Sequence, residues 1–131
     1  MNEKLEAAKK IVDQSKYAMV GTISGKKYPN IRALSKIKQE GLSKFYFMTR
    51  ANSKKVKQMK KNKKGCVYFY DEQTYQTVML EGTFKIVPNT MMPIAEIYKL
   101  DPHDPFDFCT VIFDTESIYF YSNYETTRLE I

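Results

Sequence analysis

Apolar positions along this chain change period several times, and each change predicts an element. From Asn2 to Ser15, Leu5, Ala8, Ile11 and Val12 recur at spacings of three and four, the signature of an amphipathic helix, with Asn2 placed to cap it. Tyr17 to Ile23 then reads as a strand, Ser24-Gly25-Lys26-Lys27 as a turn, and Pro29 to Lys38 as a second strand. Alternation in that second strand puts Ile31, Ala33, Ser35 and Ile37 on one face and Arg32, Leu34, Lys36 and Lys38 on the other.

Lys44 to Thr49 is an aromatic-rich strand, followed at Asn52-Ser53 by the start of a helix that buries Val56 and Met59 and closes at Gly65. Cys66 to Tyr70 and Tyr75 to Val87 are predicted as strands joined by a polar turn, and Gly82 within the longer one marks a bulge or bend. Asn89 or Thr90 is positioned to cap a short helix carrying Ile94, Ile97, Tyr98 and Leu100, ended by the loop Asp101-Pro102-His103-Asp104-Pro105. A final hairpin, Phe108 to Phe113 and Ser117 to Tyr121, turns at Asp114-Thr115-Glu116. Strands arriving in hairpins point to an antiparallel barrel of about six to seven strands with flanking helices, a mainly β (α+β) fold, and not to a doubly wound sheet.

Composition narrows the class. The 131 residues suit one domain, residues 1–131, and 43% hydrophobic with 27% charged residues is the balance of a globular protein. No apolar run is long enough for a membrane span, and the amino terminus lacks the features of a signal peptide, so a cytoplasmic protein is expected. Cys66 and Cys109 fall in apolar strand contexts outside any Cys-x-x-Cys pair and read as buried thiols. The net charge of +6 is local: Lys54 to Lys64 holds seven lysines and no acid, leaving 14 basic against 15 acidic residues elsewhere.

The most suggestive constellation is Arg32 in the second strand, Thr49 ending the third, and Asn52-Ser53-Lys54-Lys55 opening the helix. A helix N-terminus presents unpaired N–H groups, a serine adds a hydroxyl, lysines add charge and an arginine adds a bidentate fork, which together suit phosphate. Composition alone favours an ordinary N-cap at Ser53 or Asn52 beside a solvated lysine face, with Arg32 turned to water.

Met19-Val20-Gly21-Thr22-Ile23, Pro29 with Ile31-Arg32-Ala33-Leu34, Phe45-Tyr46-Phe47-Met48-Thr49, Ser53-Lys54-Lys55-Val56 with Asn62, Val78-Met79-Leu80-Glu81-Gly82 and Asp104-Pro105 follow in an order that resembles one known family. It is the FMN-binding split-barrel family related to pyridoxamine 5′-phosphate oxidase, and in particular its general stress protein 26 branch. The resemblance implies that Arg32, Lys54 and Lys55 hold the phosphate of FMN with Ser53 beside them. It further implies that the backbone at Ala33 and Leu34 and the residues Met48 and Thr49 line the isoalloxazine ring. Each flavin site in that family lies at a two-fold interface, so a homodimer is expected, with Gln76 and Thr77 as candidates contributed by the second subunit. FAD or a deazaflavin is an alternative cofactor.

Departures from the family are informative. The chain ends Tyr124-Glu125-Thr126-Thr127-Arg128-Leu129-Glu130-Ile131, without the arginine and histidine motif that grips the substrate phosphate of true pyridoxamine phosphate oxidases, which argues against that activity. Tyr121 stands where relatives often carry tryptophan. With one histidine, His103, two isolated cysteines and no Gly-x-Ser-x-Gly turn, neither a hydrolase triad nor a zinc site is built, and Asp101, Asp104 and Asp107 lack EF-hand spacing. The expected function is a flavin-dependent oxidoreductase or flavin reductase acting on an unidentified small-molecule donor or acceptor, with catalytic residues unassigned. The alternatives are a non-catalytic flavin-binding stress protein and a single-stranded nucleic-acid-binding barrel, the latter suggested by the basic helix with Phe45-Tyr46-Phe47 and Tyr68-Phe69-Tyr70.

Overall fold

A computed structural model describes residues 2–88 and 108–130. Its first helix, α1 (Glu3–Gln14), begins where the side chain of Asn2 accepts hydrogen bonds from the amides of Lys4 and Leu5, and Ala8, Ile11 and Val12 form its buried face. Seven strands follow: β1 (Tyr17–Ile23), β2 (Pro29–Glu40), β3 (Lys44–Arg50), β4 (Lys64–Asp71), β5 (Gln76–Pro88), β6 (Phe108–Ser122) and β7 (Glu125–Leu129), with α2 (Lys54–Lys61) between β3 and β4. All pairings are antiparallel, in the order β3-β2-β1-β4-β5-β6-β7, and β3 also pairs with β6. That last pairing closes a six-stranded barrel, with β7 as an extra strand beside β6.

Register separates the two faces of the sheet. Val20, Val67, Leu80, Ile118 and Leu129 are successive cross-strand partners and all are buried. Behind them Phe45, Phe69, Phe113 and Phe84 form a continuous ring contact, with centroids 5.1–6.4 Å apart. One residue along, Ala33, Met19, Tyr68, Met79 and Tyr119 form the matching outward row.

Three details depart from the sequence reading. Phe108–Phe113 and Ser117–Tyr121 are not a hairpin, because the chain runs through Asp114-Thr115-Glu116 as one strand that stays paired to β5 and bends at the bulge between Glu81 and Gly82. The hairpin lies later, where Asn123 and Tyr124 adopt positive φ and turn the chain into β7, a strand not anticipated. Gly65 does not end α2: Asn62 does, its side chain accepting from the Lys64 amide, and Gly65 sits inside β4 because a Cβ there would strike the Phe84 ring and the Gly21 carbonyl. The anticipated helix after Asn89, and His103, Asp101, Asp104 and Asp107, lie outside the described residues. Among the described residues no helix is long and apolar enough to cross a membrane. Cys66 and Cys109 are free thiols, Cys109 buried and Cys66 half-buried.

The bend in β6 requires backbone contact at Gly82, where a Cβ would meet the carbonyl of Asp114 and the Phe113 ring. Gly82→Ala is expected to destabilise the protein by about 1–3 kcal/mol in urea unfolding, as overpacking against backbone does. Gly25→Ala, in open space, should stay within about 0.5 kcal/mol of the parent. A Gly82→Ala protein as stable as the parent would refute the close approach.

Candidate functional site

Arg32 is the cross-strand partner of Val20, which places it on the inward face of β2 at the edge of the core row. Its Nη1 donates to Thr22 Oγ1 at 2.6 Å and lies 3.3 and 3.4 Å from the carbonyl oxygens of Val20 and Asn30. Thr22 donates in turn to Gln58 Oε1 at 2.5 Å, and Gln58 Nε2 donates to Asn30 Oδ1 at 2.8 Å. These bonds tie β1, β2 and α2 together with one polar chain in which every partner is neutral. Burial pulls the Arg32 pKa below its ordinary value.

The start of α2 breaks local rules for a helix. Ser53 holds the N-cap position with extended backbone, yet its side chain makes no capping bond, and its Oγ is buried without a hydrogen-bond partner among the described residues. A buried unpaired hydroxyl in a native site calls for an explanation such as a ligand or ion. The first turn carries no acidic residue, although a negative charge there is worth about 0.3–1 kcal/mol. Instead Lys54 and Lys55 occupy it. Lys55 Nζ donates to Thr49 Oγ1 at 3.0 Å, and its pKa is lowered, first by burial and then by the charge of Arg32.

Two cations therefore stand near each other, partly desolvated, beside a helix N-terminus and an unused hydroxyl. An isolated structural role would call for a carboxylate between them. The arrangement instead suits an incoming phosphate, which would accept from the guanidinium, the ammonium, the Ser53 hydroxyl and the helix amides.

Of the residues singled out in the sequence, Arg32, Thr49, Ser53 and Lys55 come together here. Lys54 is exposed and turns to the other flank of α2, lining a cleft with Lys57 and Gln58. Ala33 is exposed on the outward face, Leu34 packs against the core, and Met48 is half-buried next to Thr49. Gln76 and Thr77 stand at the far end of β5, where Thr77 pairs with Tyr70 and Tyr121 and Gln76 donates to Ser122 Oγ at 3.2 Å; their own chain does not bring them to Arg32. Thr22, Asn30 and Gln58 escaped the sequence reading. Their signals were a glutamine between Val56 and Met59 on the apolar side of α2, and an asparagine two residues before Arg32 on the same strand face.

The family profile of pyridoxamine 5′-phosphate oxidase matches residues 5–101. The chain belongs to that family. A Clostridium acetobutylicum protein related to general stress protein 26 is similar over all of this chain and 97% of its own, at 31% identity and a TM-score of 0.82. General stress protein 26 from Bacillus anthracis shares 20% identity over 95% of this chain and 98% of its own, with a TM-score of 0.73. A pyridoxamine 5′-phosphate oxidase-related, FMN-binding protein from Nostoc punctiforme has the same fold at 14% identity, covering 95% of this chain and 84% of its own, with a TM-score of 0.67. No curated protein matches.

Because Lys55 has a lowered pKa, its charge is a cost to the folded chain that is present below the lowered value and relieved as pH rises through it. Lys55→Met should therefore raise the melting temperature of the ligand-free protein at neutral pH, with a smaller gain in strongly alkaline buffer. A lower melting temperature at neutral pH would show that Lys55 is held for stability.

Proposed function

We propose that this chain binds FMN, with the phosphate on Arg32, Lys55, Ser53 and the N-terminus of α2, and uses it as a homodimer in oxidoreductase or flavin reductase chemistry in the cytoplasm. The observation that carries this reading is the buried Ser53 hydroxyl, without a hydrogen-bond partner among the described residues, at the start of a helix whose Lys55 is bonded to Thr49 and feels the charge of Arg32. Family membership supports it, and so do fold neighbours described as FMN-binding and as an F420 reductase. The backbone at Ala33 and Leu34 and the end of β3 at Met48 and Thr49 are the adjoining surfaces for the ring.

A flavin supplies the hydride or electron transfer itself; the protein supplies binding, orientation and electrostatics. Arg32 is pre-aimed by Thr22, so the guanidinium loses little freedom on meeting an anion. The residues named for the site hold and orient a ligand, and no histidine or carboxylate stands among them, which favours reductase or electron-transfer chemistry over acid–base catalysis.

A dimer is supported by the outward row of Met19, Tyr68, Met79 and Tyr119, flanked by Tyr17 (53% exposed), Ile31 (69%) and Tyr70 (53%). An apolar sheet face of this breadth is characteristic of an interface. A second copy on this face reaches the ring surface beside Ala33 with residues such as Gln76 and Thr77, remote from Arg32 in their own chain.

The protein should take up FMN and show a flavin visible spectrum. Arg32→Ala and Lys55→Ala should each weaken FMN binding by about 1–3 kcal/mol while leaving riboflavin binding nearly unchanged, and Lys63→Ala should alter neither. Equal losses for FMN and riboflavin, or no uptake of either, would overturn the assignment. Light scattering should report a dimer, and Met79→Glu should split it and weaken FMN binding together. A monomer that binds FMN fully would remove the second copy from the site.

A further inference from the structure

On the flank of α2 opposite Lys55 lies a cleft of about 1070 Å³, bounded by the β1–β2 turn and the helix. Lys26 and Lys27 rise from the turn, and Lys54, Lys57, Lys60 and Lys61 from the helix. These six lysines equal the chain's whole net charge of +6, no acidic residue lines the cleft, and none of the six is paired with a carboxylate among the described residues. Like charges at spacings of three and four weaken a helix, so a run of them without acids marks a surface shaped for an anion.

The turn is well defined. Lys27 N donates to the Ser24 carbonyl at 2.8 Å, Tyr28 N to Ser24 Oγ at 3.0 Å, and Ser24 N to the Tyr28 carbonyl at 2.9 Å. It holds Tyr28 at the cleft with 68% of its surface exposed, leaving the ring face free to meet a ligand. Asn30 and Gln58, already bonded to each other, form the floor, and through Thr22 they connect it to Arg32. The cleft thus begins where the phosphate site ends.

We infer that this cleft is a second anion site that takes a nucleoside diphosphate, its phosphates between the turn lysines and the helix lysines and its base against Tyr28. The cleft is open to solvent and has room for a ligand of nucleotide size. Lys54, Lys57 and Lys61 follow one side of the helix over roughly 10 Å, enough for a diphosphate and its ribose. Strand-binding grooves stack successive bases on several aromatics, whereas among the described residues Tyr28 is the single aromatic ring lining this cleft, which favours one base over a nucleic acid. The same chemistry comes from a free nucleotide or from the adenylate half of a dinucleotide that starts in the neighbouring phosphate site.

Calorimetric titration of the full chain with ADP tests this, first alone and then after saturation with FMN. One ADP per chain is expected, with Kd below about 1 mM and unaffected by FMN. The double variant Lys57→Ser, Lys61→Ser should weaken ADP at least about tenfold and leave FMN affinity unchanged. Tyr28→Ser should weaken ADP about threefold and leave inorganic pyrophosphate unchanged. FAD displacing ADP identifies the adenylate half of a dinucleotide, and ADP left in place by FAD identifies a free nucleotide; both support the cleft. No binding of ADP, binding indifferent to Lys57 and Lys61, or loss of ADP with Arg32→Ala would overturn it. So would a short single-stranded oligonucleotide that displaces ADP from the same lysines at far lower concentration. Failure of FMN binding with ADP binding intact would count against the flavin reading alone.

Discussion

Closure of the barrel through β3 and β6 is the constraint on which the site depends. Lys44 to Arg50 pair in register with Asp114 to Phe108, segments far apart in the chain, and this sets β3 at one end of the order β3-β2-β1-β4. The chain must then travel from β3 to β4 past β2 and β1. Helix α2 makes that crossing, and its buried side, Val56, Gln58 and Met59, lies on the strands it passes. Arg32 on β2 and Thr22 on β1 are neighbours through the β1–β2 register, and the crossing brings α2 onto them.

The crossing also explains why the helix can afford unusual residues. Its attachment comes from buried Val56 and Met59 and from the Gln58 bonds to Thr22 and Asn30, so its ends and outer flanks are released from stabilising it. An uncapped Ser53, a first turn of lysines and a cation pushed toward Arg32 would each weaken an isolated helix. They persist where tertiary packing carries the helix, and they concentrate positive charge at one end and along one flank. Local rules broken together, at one place, are the mark of a functional surface.

Pleat alternation supplies the other half of the design. Val20 and its partners face the core, and the residues one step along face outward as methionine and tyrosine. Arg32 shares the inward face with the core row and Ala33 the outward one, so two consecutive residues of β2 meet the Thr22 hydroxyl and solvent respectively. A shift of one residue in the β1–β2 register would exchange them and abolish both surfaces.

Much of this was legible in the residues. The period of apolar positions marked α1 with its Asn2 cap and the bounds of β1 to β5 to within a few residues, because each element answers to neighbours close in the chain. Arg32, Thr49, Ser53 and Lys55 could be grouped from strand alternation and helix-start chemistry together with a family resemblance. Other features had no local signature. Polar Asp114-Thr115-Glu116 resembled a turn, but its pairing with β5 and the glycine opposite keep it extended, and β7 exists because β6 offers it an edge. The bonds among Thr22, Asn30 and Gln58 and the lysine cleft join residues 22–30 to residues 54–62. Sequence by itself determined which residues were charged, which faces alternated and where helices began; only barrel closure, by laying α2 across β1 and β2, decided which charges would meet.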